Sequence, residues 1–335
     1  MPSQPNRSKQ TGISRVSTLI ILVLWLLVVG GLVANRQNLY DWWQLRNYEP
    51  STVVSQIASQ TAMNDYGRKI FYVNHPAIVD KVDFQAACPE ADTEHTIVLG
   101  CYHGGQAGIF LFDVTDERLN GVEQVTAAHE MLHGAYDRLS SKERARVNAM
   151  LQKYYNEELH DERILKTIDA YKKTEPTEIV NEMHSIFATE IRNLPTELEA
   201  YYKRYFSDRS QVALLAEQYQ QEFTSRQQAV VSADARLSQL KNEIDGLQAE
   251  LKTRQTQIET QQANLVALRK EGNITAYNAG VAPYNALIAT YNNGVARLQS
   301  LISDYNKLVA SRNAIALEQE QLVKNLSSDS APIHN

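Results

Sequence analysis

The sequence predicts a mostly helical α+β domain between an N-terminal transmembrane helix and a C-terminal antiparallel coiled-coil hairpin. Three observations predict this. Residues 16–34 form one uncharged apolar run. The middle of the chain mixes short β-rich runs with amphipathic helical stretches. The C-terminal third carries two heptad seams separated by Gly272-Asn273.

The run at 16–34 is long enough to cross a bilayer as a helix. Arg7, Lys9 and Arg15 precede it with no acidic residue, so residues 1–15 are expected in the cytoplasm and the rest outside. Trp42 and Trp43 suit the outer interface, where amphipathic rings prefer to sit. Leu32-Val33-Ala34 is a poor small-x-small cleavage site, so an uncleaved anchor is expected rather than a signal peptide. With 33 Lys and Arg against 39 Asp and Glu, and no basic stripe, no nucleic-acid partner is expected. Cys88 and Cys101, the only cysteines, read as a disulfide in an oxidising compartment, with two free core thiols as the alternative.

Residues 41–207 read as the globular domain. Helix is expected over 51–64 and strand over 69–73. Strands at 96–102 and 108–114 (GIFLFDV), joined through Gly104-Gly105, make a hairpin just before the helix 122–139. Ser140 with Glu143 is a capping box that opens a helix to about residue 159. Pro176 opens another helix, which Leu194-Pro195 closes, and Pro195 opens a last one through Tyr201, Tyr202, Tyr205 and Phe206.

Residues 209–326 change period. Tyr219, Phe223, Val230, Ala233, Leu237, Leu240, Ile244, Leu247, Leu251, Ile258, Leu265 and Leu268 step by fours and threes, interrupted by Arg226, Arg254 and Gln261. After the Gly-Asn break a second seam runs Tyr277/Val281, Tyr284/Ile288, Tyr291/Val295, Leu298/Ile302, Tyr305/Val309, with a recurring Tyr-Asn. Two such arms predict a helical hairpin in which Pro283 kinks the second arm or delays its start. Residues 327–335 read as a polar, frayed tail.

The chemistry lies in His129-Glu130-Met131-Leu132-His133. Residues four apart share a helix face, so both imidazoles can reach one ion. Glu130, beside them, can take a proton from a water whose pKa the ion lowers. A third protein ligand is needed. On the helix after Pro176, Glu178, Glu182, Ser185 and Thr189 form a polar stripe, and Glu182, Glu190 and His184 are the candidates. Asp137, one turn past His133, is a candidate to orient an imidazole. Tyr136, Tyr201, Tyr202, Tyr205 and His103 are candidate oxyanion donors, each with an ordinary packing role as the simpler reading.

HExxH followed on a separate helix by Asn181-Glu182-x-x-Ser185 resembles the gluzincins, the thermolysin-like zinc metallopeptidases. The resemblance implies a zincin-like fold, Zn2+ held by His129, His133 and Glu182, and Glu130 as general base. Ile186 stands where thermolysin has an ordering aspartate, so that support must differ here. The wording VTAAHEMLHGAYDRL with VNEMHSIFATEI, within residues 65–206, is also similar to a group of membrane-anchored bacterial proteins of uncharacterised function.

The expected function is therefore a zinc metallopeptidase, a hydrolase of protein or peptide substrates. It is expected in the bacterial cell membrane as a single-pass protein with its catalytic domain outside. The alternative is a non-catalytic envelope scaffold that works through the coiled coil by partner binding or self-association. A peptidoglycan amidase is a third reading.

Overall fold

A computed structural model describes residues 15–89 and 98–326. The expected cytoplasmic tail, the start of the expected strand at Thr96 and the C-terminal tail lie outside the described residues. The chain divides into two compact units, Met1–Asp113 with Glu123–Leu214, and Val114–Val122 with Leu215–Asn335.

The first unit is mostly helical around a small sheet. Helices α1 (Arg15–Ala34), α2 (Arg36–Leu45), α3 (Thr52–Gln60) and α4 (Asp65–Val73) come first. Strand β1 (Ala77–Val79), helix α5 (Lys81–Ala87) and strands β2 (Gly100–His103) and β3 (Gly108–Phe112) follow. Helices α6 (Val122–Asp137), α7 (Ser141–Glu157), α8 (Glu162–Thr174), α9 (Ile179–Glu190) and α10 (Thr196–Tyr202) complete it. The sheet order is β1-β3-β2, with β1 parallel and β2 antiparallel to β3. Strand β3 is central and buries Ile109 and Leu111. Strand β2 is left at an edge.

Residues 69–73 are the end of α4, not a strand. Lys-Ile-Phe-Tyr-Val has strand propensity, but tertiary context overrides it. Asn64 caps the helix, its Oδ1 accepting from the amides of Tyr66 and Gly67 at 3.0 Å each. Gly67 leaves room for the Tyr205 carbonyl against the helix, and any Cβ there would collide with it. The capping box of α7 is present, with Ser140 and Glu143 each accepting from the other's amide. Strand β1 and helices α2, α5 and α8 were not foreseen in the sequence.

Helix α2 is fastened into this unit by one buried carboxylate. Asp41, 1% exposed, accepts from Lys69 Nζ at 2.8 Å, Arg138 Nη2 at 3.0 Å and Gln37 Nε2 at 2.8 Å. Arg138 also donates to Gln106 Oε1, and Tyr40 donates to the Gln106 carbonyl. Gln106 adopts a positive φ of 65° in the β2–β3 turn, a conformation these contacts hold in place.

Among the described residues no single helix is long and apolar enough to cross a membrane. Thr18–Ala34 and Arg36–Leu45 meet that measure only together, as a pair bent by 62°. Leu19, Trp25, Leu27 and Val33 stand exposed on α1, as do Trp42 and Trp43 on α2.

The second unit contains the pairing of two long helices, α11 (Ser210–Lys270) and α12 (Ile274–Leu326). Gly272, with φ of 76°, makes the turn between them. The arms are antiparallel, since partners step up one arm as they step down the other. Arg226 meets Glu318 at 3.5 Å, Arg312 meets Asp234 at 3.0 Å, and Leu251 and Leu265 lie over Gly294 and Gly280. The first seam buries Ala233, Leu240, Leu251 and Leu265. In the second seam Ile302 is exposed, and Leu301 takes its place because the step after Leu298 is three rather than four. Pro283 does not delay or interrupt α12. It lies exposed, so the carbonyl deprived of its donor, that of Ala279, also belongs to an exposed residue.

Candidate metal centre

Helix α6 carries His129, Glu130 and His133 on adjacent turns, and α9 brings Glu182 to them. His129 Nε2 lies 3.3 Å from Glu182 Oε2, and His133 Nε2 lies 3.3 Å from Glu182 Oε1. One donor atom from each of the three residues falls within 4.8 Å of the others. Glu130, His133 and Glu182 are buried. Two imidazole nitrogens and a carboxylate oxygen are a donor set suited to a first-row divalent cation. The residues present thus fit a metal ion.

The group opens on a cleft of about 390 Å³. One wall is β2. Gly100 permits its close approach to α6, since a Cβ there would fall 2.9 Å from Glu130 Cγ and Oε1. The Cys88–Cys101 disulfide, with Cα atoms 6.0 Å apart, ties this strand to the end of α5. Tyr102 joins three parts of the site. Its amide donates to the Glu130 carboxylate, its hydroxyl donates to Asp137 Oδ2 at 2.9 Å, and its ring lies nearly parallel to that of His133, 6.5 Å away. The other wall comes from the end of α8 and the start of α9, with Tyr171, Glu175, Glu178 and Asn181.

Burial pushes the Glu130 carboxyl up to about 7, against the pull of His133 and with Glu182 and Glu175 adding repulsion. A divalent cation beside it would draw this value back down.

The rival ligands lie elsewhere. Glu190 pairs with Arg163. His184 is fully buried, with Nε2 2.9 Å from the Tyr201 hydroxyl and its ring among Tyr136, Tyr201, Tyr202 and Tyr205. Burial drives its pKa down to about 3, so it stays neutral. The proposed hydroxyl donors are committed to packing contacts. Tyr136 donates to Asn148 at 2.7 Å and Tyr202 to the His184 carbonyl at 2.8 Å, while the Tyr201 and Tyr205 hydroxyls meet at 3.1 Å. His103 Nε2 meets the Ala87 carbonyl at 2.9 Å. Asp137 receives the Tyr102 hydroxyl and the Gly105 amide at 3.3 Å, and so bears on His133 through the tyrosine ring.

Tyr102, Tyr171 and Glu175 line the cleft without having been singled out in the sequence. Only for Tyr102 was there a signal, its alternation with Cys101 in a strand ahead of the HExxH helix. No protein-family model, curated protein or solved structure matches the chain.

Proposed function

We propose that the chain is a membrane-anchored, extracytoplasmic zinc metallopeptidase whose first unit is a gluzincin-like domain. The observation that carries this reading is the pair of 3.3 Å separations between Glu182 and the two HExxH imidazoles. Tetrahedral ligands about 2.0–2.1 Å from zinc are about 3.3–3.4 Å apart; each imidazole nitrogen lies at that distance from its own oxygen of Glu182, and the three donors lie within 4.8 Å of one another. Glu130 in the same cleft favours a hydrolytic site, because a purely structural zinc has no use for a base.

Zinc held by His129, His133 and Glu182 would supply Lewis acidity and lower the pKa of an attacking water. Glu130 accepts that water's proton as the water attacks the peptide carbonyl, and returns it to the leaving nitrogen. The Tyr102 amide and the Gly100 contact fix the base. Tyr102, held by Asp137, backs His133 and limits its rotation. The two walls hold the peptide and exclude bulk water.

The exposed apolar face of α1, the basic residues before it and the interfacial pair Trp42 and Trp43 support a membrane anchor with the catalytic unit outside. The disulfide agrees with an oxidising compartment. The deciding experiment is elemental analysis of the full chain in detergent, paired with hydrolysis of unfolded protein. About one zinc per chain is expected, lost in His133→Ala and Glu182→Ala. Glu130→Gln should keep the zinc and lose hydrolysis by about 10²–10⁴-fold. A parent protein that takes up no zinc when it is added would overturn the peptidase.

The length of the hairpin, with arms of 61 and 53 residues, favours a second reading as a scaffold. In that case Glu130→Gln is silent and deletion of residues 209–326 abolishes function.

A further inference from the structure

We propose that the exposed face of α2 is a lipid-binding surface that lies along the outer headgroup layer of a membrane, with the indoles of Trp42 and Trp43 inserted and the guanidinium groups of Arg36 and Arg46 on phospholipid phosphates. This rests on the anchor reading only for the claim that α1 crosses the same membrane.

The two sides of α2 differ in kind. Gln37, Tyr40 and Asp41 face the first unit, where Asp41 is buried and accepts from Lys69 and Arg138. Leu39, Trp42 and Trp43 face away, 45%, 67% and 53% exposed. Arg36 opens the helix and Arg46 is its C-cap, and both are exposed. Steps of three and four from Arg36 through Leu39 and Trp43 to Arg46 keep them on one face. The Arg46 guanidinium lies 5.8 Å from the centre of the Trp43 ring. The one acid of α2 is Asp41, on the inner side, so the outer side presents apolar surface and positive charge with no negative charge. Indoles with basic residues on an amphipathic helix suit the boundary between headgroups and acyl chains, and a guanidinium matches the geometry of a phosphate.

Two further observations favour lipid over a protein as the occupant. Helix α1 ends one residue before α2, and its side chains from Thr18 to Ala34 are apolar and exposed almost all round. Hydrocarbon is the solvent that such a helix fits when no protein core encloses it. The exposed face of α2 continues that surface. The second observation is the bend of 62° between the two helices. With α1 upright, α2 lies closer to the membrane plane than to its normal, and the first unit occupies its inner side, so the outer face is left toward the lipid. The inner side carries this contact to the cleft. Tyr40 donates to the Gln106 carbonyl at 3.1 Å, and the Gln106 amide donates to the hydroxyl of Tyr102 at 3.0 Å. Tyr102 lines the cleft. A cleft so placed meets chain segments that run close to the membrane surface.

The test uses the full chain reconstituted in phospholipid vesicles whose lipids are brominated either high or low on the acyl chain, so that quenching of indole fluorescence reads depth. The chain has three tryptophans. Trp25→Phe leaves the α2 pair, and Trp42→Phe/Trp43→Phe leaves Trp25 in α1. The α2 pair should be quenched about twofold or more better by the shallow bromines than by the deep ones, as side chains at the interface are. Trp25 should show the opposite order. Adding Arg36→Glu/Leu39→Glu to Trp25→Phe should cut the shallow quenching by about half or more, with far-UV circular dichroism unchanged because both residues are exposed. Shallow quenching of the α2 pair with Trp25 unquenched would sink the anchor and uphold the inference. Deep quenching of Trp25 with the α2 pair unquenched would do the reverse and give the α2 face to a protein partner or to water. Deep quenching of both would make α1 and α2 one broken span and overturn the inference, as would shallow quenching that survives the double substitution.

Discussion

Helix α6 serves two buried carboxylates that are neutralised in opposite ways. Just past its end, Asp41 is met by the ammonium of Lys69 and the guanidinium of Arg138. In its middle, the partners of Glu182 among the described residues are the imidazoles of His129 and His133. A buried carboxylate held by permanent cations fastens one element to another. One that faces only imidazoles has a use for a cation from outside. Both environments lie within the same unit, one on α6 and one at the residue that follows it, so the difference belongs to the partners rather than to the scaffold.

Three substitutions would break or sharpen this contrast. Asp41→Ala should be the most damaging to stability, by about 3–5 kcal/mol, because it leaves Arg138 buried and unpaired. Urea unfolding monitored by circular dichroism would measure it, and a change under about 1 kcal/mol would mean that α2 is not held this way. The β2 wall of the cleft is fastened covalently instead. Replacing Cys88 and Cys101 by serine should lower stability by about 3 kcal/mol, the order expected for a separation of 13 residues. A thermal midpoint equal to that of the oxidised parent would count against it. Glu182→Gln, in chelator-treated protein, should have the smallest effect, within about 1 kcal/mol of the parent, since it removes a buried charge with no permanent counterion. A loss as large as that of Asp41→Ala would make Glu182 a structural residue and erase the distinction.

The sequence carried the site further than the walls around it. HExxH is legible because an interval of four is one helix face, and its geometry is local to a single helix. Glu182 was reached through resemblance; its helix was expected to open at Pro176 but begins at Ile179, after a turn over residues 176–178. Its two rivals could not be set aside from spacing alone. What separates them is tertiary: Arg163 holds Glu190, and a cluster of tyrosines encloses His184. The misread strand at 69–73 fails for the same kind of reason, since Gly67 and Tyr205 are far apart in sequence. Asp41 left no mark in a pattern of hydrophobicity. Tyr171 and Glu175 lie on the far wall, and nothing nearby in sequence signals that they face α6. In the hairpin the period was legible, and the error at Ile302 was one of phase within a heptad.

Gly280 and Gly294 have a mechanical consequence. A Cβ at either position would come within 2.8 Å of a leucine Cδ2 on the other arm, so both arms are drawn close at these two points of the hairpin's outer half. Helix α11 alone extends about 90 Å at 1.5 Å per residue. The stiffness of two paired helices of that length depends on how firmly the arms resist sliding past each other. The two close approaches, in the half of the hairpin nearer Gly272, oppose that sliding. An alanine at either position would press on the facing leucine and part the arms locally before it changed the helix content.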